Sequence, residues 1–238
     1  MLWTISDLHL SSVAAKPMDI FGNQWRDHPQ RIAAAWRDRV HDEDVVLVAG
    51  DISWAMKLED ALPDLVWIDA LPGRKVLIRG NHDYWWPRTG LNAVRKHAPP
   101  SLTLLNADAT DVGDAVICGT RGWITPDTMG FKPQTDQKIY ERELQLLDRA
   151  LAAATRLAAG MKPIVVMIHF PPFLDRGKPT EFANRIAASG AATCVYGHLH
   201  RPSDWSAATQ GIVDGVYYQL TSCDYLRFGP VAVRGLPG

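Results

Sequence analysis

With 238 residues, 47% of them hydrophobic, the chain can bury a substantial core, and length alone allows one large domain or two small ones. A formal net charge of -1 gives no overall basic field, so bulk nucleic-acid affinity is not expected.

Residues 1–6, MLWTIS, read as a strand running into a turn at Asp7. The same stretch lacks a basic leader and reaches an acidic residue at once, so no signal peptide is expected. HPQRIAAAWRDRV at 28–40 places Ile32, Ala35, Trp36 and Val40 on roughly one helical face. DVVLVAG at 44–50 is a buried strand, and 56–70 reads as a helix that tolerates or bends at Pro63. Strand RKVLIRG at 74–80 runs into GNHD, and TGLNAVRKH is a short helix stopped by a double proline.

Shorter strands are expected at LTLL (102–105), ATDV (109–112) and AVICGT (115–120), at a far edge or in a second sheet. Residues 136–159 carry the longest helical pattern, PIVVMIH at 163–169 is a strand, EFANRIAAS a helix, and TCVYGHLH a strand followed by histidines. The tail segments VDGVYYQLTS and FGPVAVRG read as strands of a second sheet. No repeat or linker interrupts the chain, so one domain over 1–238 is expected. Alternating strands and helices followed by a strand-rich tail predict an α/β fold of two packed sheets with helices outside each. The apolar runs VVLVA and PIVVMI are too short to span a bilayer. Of three cysteines, Cys118 and Cys194 lie in apolar runs as buried thiols, which fits a reducing compartment and predicts a cytoplasmic protein without a membrane partner.

Polar residues recur at one kind of position. Asp7 and His9 follow the first strand, Asp51 follows VVLVAG, Asn81 and His82 follow VLIRG, His169 follows IVVMI, and His198 and His200 follow TCVYG. Taken singly, an aspartate after a glycine is a turn or cap and a lone histidine is a packed one. Taken together, five strand ends carry metal-binding residues, and open α/β sheets bind ligands outside the carboxyl ends of their strands. Carboxylates, imidazoles and an asparagine carbonyl suit two divalent ions of the manganese, iron or zinc type, with Asp51 as the natural bridging anion. Such a pair, ~3.5–4 Å apart, holds a bridging hydroxide that attacks phosphorus in line.

The blocks DLH at 7–9, GD at 50–51, GNHD at 80–83, the histidine at 169 and GHLH at 197–200 resemble, in type and order, the calcineurin-like metallophosphoesterase superfamily. The resemblance implies a four-layer α/β/β/α sandwich with two mixed sheets. It implies that Asp7, His9 and His200 hold one metal and Asn81, His169 and His198 the other, with Asp51 shared. Two divalent ions are then the cofactors, manganese first, with iron, zinc or a mixed pair as alternatives. His82 would face the leaving group as general acid or transition-state support, Asp83 would orient its imidazole and raise its pKa, and Gly80 would let the backbone turn. The implied activity is hydrolysis of a phosphodiester, with a phosphomonoesterase or a non-catalytic scaffold as alternatives. The substrate would be a phosphorylated small molecule or nucleotide-like compound.

Departures from the superfamily pattern narrow this. GDISWAM lacks the arginine that protein phosphatases carry after the bridging aspartate, histidine stands at 82 where lipid-A pathway hydrolases generally have arginine, and the chain lacks the extra domain of the double-strand-break nucleases. For substrate contacts, Arg121 in the loop 119–137 is the first candidate, because guanidinium pairs bidentately with phosphoryl oxygens. Trp85 is a stacking candidate, and Arg176, with Lys178, stands in the loop after His169.

Overall fold

Strand alternation decides how the layers stack. Along Val45–Ala49, residues 45, 47 and 49 belong to one apolar cluster, whereas Val46 and Val48 belong to another. All five are buried, so this strand is covered on both faces. The computed structural model, which describes residues 1–14, 16–87 and 91–236, resolves that pattern into two sheets packed face to face.

The first sheet contains β1 (Leu2–Ile5), β2 (Val45–Ala49), β3 (Arg74–Ile78) and β4 (Leu102–Leu104), joined by α1 (His28–Arg39), α2 (Leu58–Asp69) and α3 (Leu91–His97). These four strands run parallel in the order β1-β2-β3-β4. The second sheet is built from β5 (Ala109–Asp111), β6 (Val116–Thr120), β7 (Ile164–Ile168), β8 (Thr193–Tyr196), β9 (Gly211–Val213) and β10 (Val216–Leu220), in the order β5-β6-β7-β8-β10-β9. Its four central strands are parallel and its two edges antiparallel. Helices α4 (Pro133–Ala158), α5 (Glu181–Ala188) and the short α6 (Pro202–Ala207) belong to this half.

Between the sheets, Leu47, Ala49, Val76 and Ile78 meet Ile117, Val165, Met167 and Val195. Outside the first sheet, Ile32 and Trp36 of α1 and Leu65 and Ile68 of α2 close over Val46, Val48 and Leu77. Outside the second, Leu144, Leu147 and Leu151 of α4 and Phe182 and Ile186 of α5 cover Cys118, Val166 and Cys194. The result is the expected α/β/β/α sandwich. Among the described residues no helix is long and apolar enough to cross a membrane.

One expectation is corrected. The last strand, β11 (Val231–Ala232), does not join the second sheet but pairs antiparallel with β1 at the edge of the first. The tail thereby ties both sheets together. Pro63 lies inside α2, as expected of a helix that tolerates it.

Lys75 on β3 is 1% exposed. Its ammonium donates to the carbonyls of Asp69 (3.1 Å) and Leu71 at the end of α2 and to Ser101 Oγ (3.3 Å). Burial pushes its pKa down from 10.5 to about 8, against the attraction of Asp69 and Asp42. Between these two values the unfolded chain holds a proton that the folded chain has released, so stability rises with pH across that window. Lys75→Met keeps the apolar stem but leaves the carbonyls unpaired, with an expected loss of about 1–3 kcal/mol. Urea denaturation of both proteins across the alkaline range should show the rise only in the wild type.

Candidate metal centre

Three of the strand ends deliver their residues through a tight backbone. Asp7 (φ 59°), His9 (φ 45°), Asp51 (φ 52°) and His198 (φ 75°) all sit in the left-handed region, where a side chain is strained. The glycines beside them are needed for space. A Cβ on Gly80 would stand 2.1 Å from Asp51 Oδ1, and one on Gly197 2.4 Å from Asp7 Oδ2. Gly80 therefore serves close packing, where the sequence suggested a special turn.

These backbones bring together the residues singled out at the strand ends. Ligand atoms of Asp7, His9 and His200 lie within 4.8 Å of one another, and so do those of Asp51, His169 and His198. Asn81 Oδ1 joins the second group, 2.8 Å from His169 Nε2 and 2.9 Å from His198 Nδ1. Asp51 reaches both groups, with Oδ2 3.4 Å from His169 Nε2 and 3.8 Å from His9 Nε2. In each group two imidazole nitrogens face each other, His9 Nε2 and His200 Nε2 at 3.3 Å and His169 Nε2 and His198 Nδ1 at 3.3 Å. Facing nitrogens and buried carboxylates at 0% and 1% exposure form a donor set that fits a pair of divalent cations.

At His169 and His200 the remaining ring nitrogen fixes which atom points inward. His169 Nδ1 donates to the Ala49 carbonyl at 3.0 Å, and His200 Nδ1 donates to Asp224, 3.1 and 3.2 Å from its two oxygens. Such contacts leave the opposite nitrogen free to bind a cation and make it more basic. Burial alone would lower His169, but Asp51 and Asp7 carry it up to about 9; burial is likewise outweighed at His200, which Asp224 and Asp7 raise to about 10. His9 and His198 are driven by burial down to about 3 and about 4, so they are neutral donors at ordinary pH. Burial would raise Asp7 and Asp51, yet the bonds and charges of His200 and His169 on the one, and of His169 and His9 on the other, hold both carboxyls well below the usual range.

His82 stands beside this centre. Its backbone N–H donates to Asp51 Oδ1 at 2.8 Å, and its ring lies 4.3 Å from Trp54, which in turn stacks on His9 at 4.9 Å and 23°. Nδ1 is buried without a partner, which leaves Nε2 as the nitrogen available to the site. Asp83 does not orient this ring. Its carboxylate accepts from the backbone N–H groups of Gly80 (2.7 Å), Ile52 (2.9 Å) and Ser53 (3.1 Å) and from Trp85 Nε1 (3.0 Å). Asp83 thus pins the Asp51 and Asn81 loops to each other; burial and Asp51 raise its carboxyl to about 6 against those donors. The His82 pKa is lowered, not raised, chiefly by burial.

The expected substrate contacts are also corrected. The Arg121 guanidinium is buried, donates through one terminal nitrogen to Glu143 at 2.8 Å and stacks over Trp123 at 4.3 Å, so it is engaged inside the protein although its Nε has no partner. Trp85 is 3% exposed and packs against Trp86 beneath the loop. The Arg176 side chain lies outside the described residues.

Two cavities open from the centre. One, of about 860 Å³, runs from His198 and His200 between Trp123–Met129 and the loop after His169. The other, of about 260 Å³, is walled by Met18, Trp25, Trp54, His82 and His9.

Asp224 escaped the sequence reading, although the rule that found the others applies to it: VYYQL ends β10, and TSCD follows. Neighbouring residues of this stretch brace the centre as well, with Cys223 Sγ donating to the Asp7 carbonyl at 2.9 Å.

The calcineurin-like phosphoesterase family model matches residues 2–202, and the chain belongs to that family. It is similar to the gene 66 proteins of Mycobacterium phage D29, 41% identical over 83 residues, and of Mycobacterium phage L5, 36% identical over 81 residues. Each match covers 34% of this chain and 40% or 39% of the relative, so the chain spans well under half the length of these curated relatives. Among solved structures, the phosphopantetheinyl hydrolase of Mycobacterium tuberculosis shares the fold, with a TM-score of 0.53 and 17% identity over 95% of this chain and 91% of that one.

Two outcomes test the centre. A cation entering either group must displace the proton held by His169 or His200, so below about pH 9 the affinity should rise about tenfold per pH unit. Calorimetric titration in buffers of different ionisation enthalpy counts the protons released, and metal uptake without proton release would contradict the assignment. Asp224→Asn should weaken the His200 group by about 10–100-fold and spare the other; equal weakening of both would mean that Asp224 acts on the fold at large.

Proposed function

We propose that this protein is a metal-dependent phosphoric ester hydrolase whose reaction is the hydrolysis of a phosphodiester. The observation that carries the reading is the pair of ligand groups sharing Asp51, each drawn from the strand ends of both sheets. Asp7, His9 and His200 would hold one cation and Asn81, His169 and His198 the other, with manganese first among the ions this donor set suits. Bound there, the pair supplies Lewis acidity toward the phosphoryl oxygens and water of lowered pKa.

The chain's own residues do the rest. Neutral His9 and His198 present lone pairs without a proton to lose. Asp224 and the Ala49 carbonyl orient His200 and His169 through Nδ1. His82, which lines the smaller cavity, would hand a proton or a hydrogen bond from Nε2 to the departing oxygen, and Trp54 packs against its ring. A substrate that is a phosphorylated small molecule or nucleotide-like compound agrees with the modest size of both cavities. Three buried free thiols support a reducing, cytoplasmic setting.

The deciding experiment is hydrolysis of bis-p-nitrophenyl phosphate by manganese-loaded protein against a chelated control. Metal-dependent turnover is expected; none with manganese, iron or zinc would overturn the reading. His82→Ala should lower kcat about a hundredfold or more while two metals still bind, whereas Asp51→Asn should weaken both metals together. A His82→Ala protein that lost its metals would show that the residue is a ligand.

A further inference from the structure

The larger cavity is unlike a phosphate channel. Phe170, Pro171, Phe173, Leu174 and Leu199 give it an apolar floor that begins at the metal centre, where the Phe170 ring lies 4.3 Å from that of His198. Its two described cations are paired. Lys178 donates to Asp127 at 2.8 Å and Arg201 to Asp204 at 2.9 Å, and all four residues line the cavity. Asp175 also lines it, so among the described side chains three carboxylates stand against two cations. Arg121 does not line the cavity, and its guanidinium pairs with Glu143 at 2.8 Å. Among the described side chains, a second phosphate or a carboxylate placed here would lose its water without gaining a free cation.

From this the geometry points to a specificity-determining subsite: the cavity lined by Phe170, Leu174 and Leu199 binds an extended substituent of the phosphodiester that carries no anionic group. The inference rests on the hydrolase reading above and narrows it, because it sets aside nucleic-acid ends and diphosphates as substrates. Its volume of about 860 Å³ lies within the range of about 300–1,000 Å³ that holds drug-sized ligands. The departing group falls to the smaller cavity, which His82 lines. In the reaction, water oxygen bonds to phosphorus, the bond from phosphorus to the departing oxygen breaks, and one proton of the water ends on the released alcohol. The other arm stays in the larger cavity as a phosphomonoester.

Three p-nitrophenyl diesters test this with a constant leaving group: methyl, hexyl and 5-carboxypentyl p-nitrophenyl phosphate, assayed with the manganese-loaded protein. The hexyl ester should exceed the methyl ester by about tenfold or more in kcat/KM through burial of its methylenes, and the terminal carboxylate should cancel most of that gain. Ala208→Trp, which fills the cavity away from the metal centre, should abolish the hexyl advantage and leave methyl ester turnover unchanged. Equal rates for methyl and hexyl esters, or a carboxypentyl ester as good as the hexyl ester, would overturn the proposal. If none of the three were turned over, the hydrolase reading would fail by itself. Equilibrium binding of hexyl phosphate and 5-carboxypentyl phosphate, followed by tryptophan fluorescence, would then decide the subsite alone. Tighter hexyl phosphate supports it, and equal or reversed affinities refute it.

Discussion

The structure depends on an exchange of hydrogen bonds where the two sheets meet at their carboxyl ends. Asp7, at the end of β1, accepts the His198 backbone N–H with both oxygens, at 3.0 and 3.1 Å. His169, at the end of β7, returns the favour by donating Nδ1–H to the last carbonyl of β2. Ser6 takes part through its main chain, donating to Thr221 at 2.8 Å and accepting from Cys223 at 3.0 Å. Each sheet thus positions ligands that the other sheet orients. A centre made this way exists only when both sheets are docked.

That arrangement concentrates unfavourable features in a small volume. Four ligand candidates hold left-handed backbone, two carboxylates are stripped of water, and imidazole nitrogens face each other at 3.3 Å. Each would count against stability in isolation. The surrounding sandwich overdetermines them: Gly80 and Gly197 let the loops approach, and Asp83 ties three backbone N–H groups across two loops. The same groups become favourable partners for a divalent cation, so the strain is confined to where binding can relieve it.

Aromatic residues divide their work in a way their positions in the chain do not reveal. Trp85 and Trp86, adjacent to His82 in sequence, are buried supports, with Trp85 held by Asp83. Trp54 and Trp25, from two other segments, form the wall around His9 and His82. Arg121 shows the same contrast among charged groups. Its carbonyl lies beside the centre, accepting the His169 backbone N–H at 3.0 Å, yet Glu143 of α4 pairs with its guanidinium.

What the sequence determined by itself was the periodic and local part. Buried runs such as VVLVA and IVVMI, the helix over 28–40, and aspartates and histidines set just after strands are written in short stretches, because strand alternation and strand-end position are local properties. Their division into two ligand groups came from the resemblance to the superfamily's motifs. What only the tertiary structure decided were matters of pairing between distant segments. β11 chose β1 over the second sheet because edge pairing depends on where the tail arrives. Asp83 turned to backbone N–H groups rather than to His82 because its loop is closed by Gly80, Ile52 and Ser53. Asp224 reached His200 across 24 residues, and Lys178 of the larger cavity paired with Asp127 across 51. Side chains compete for partners in three dimensions, and no spacing in the chain records which of them wins.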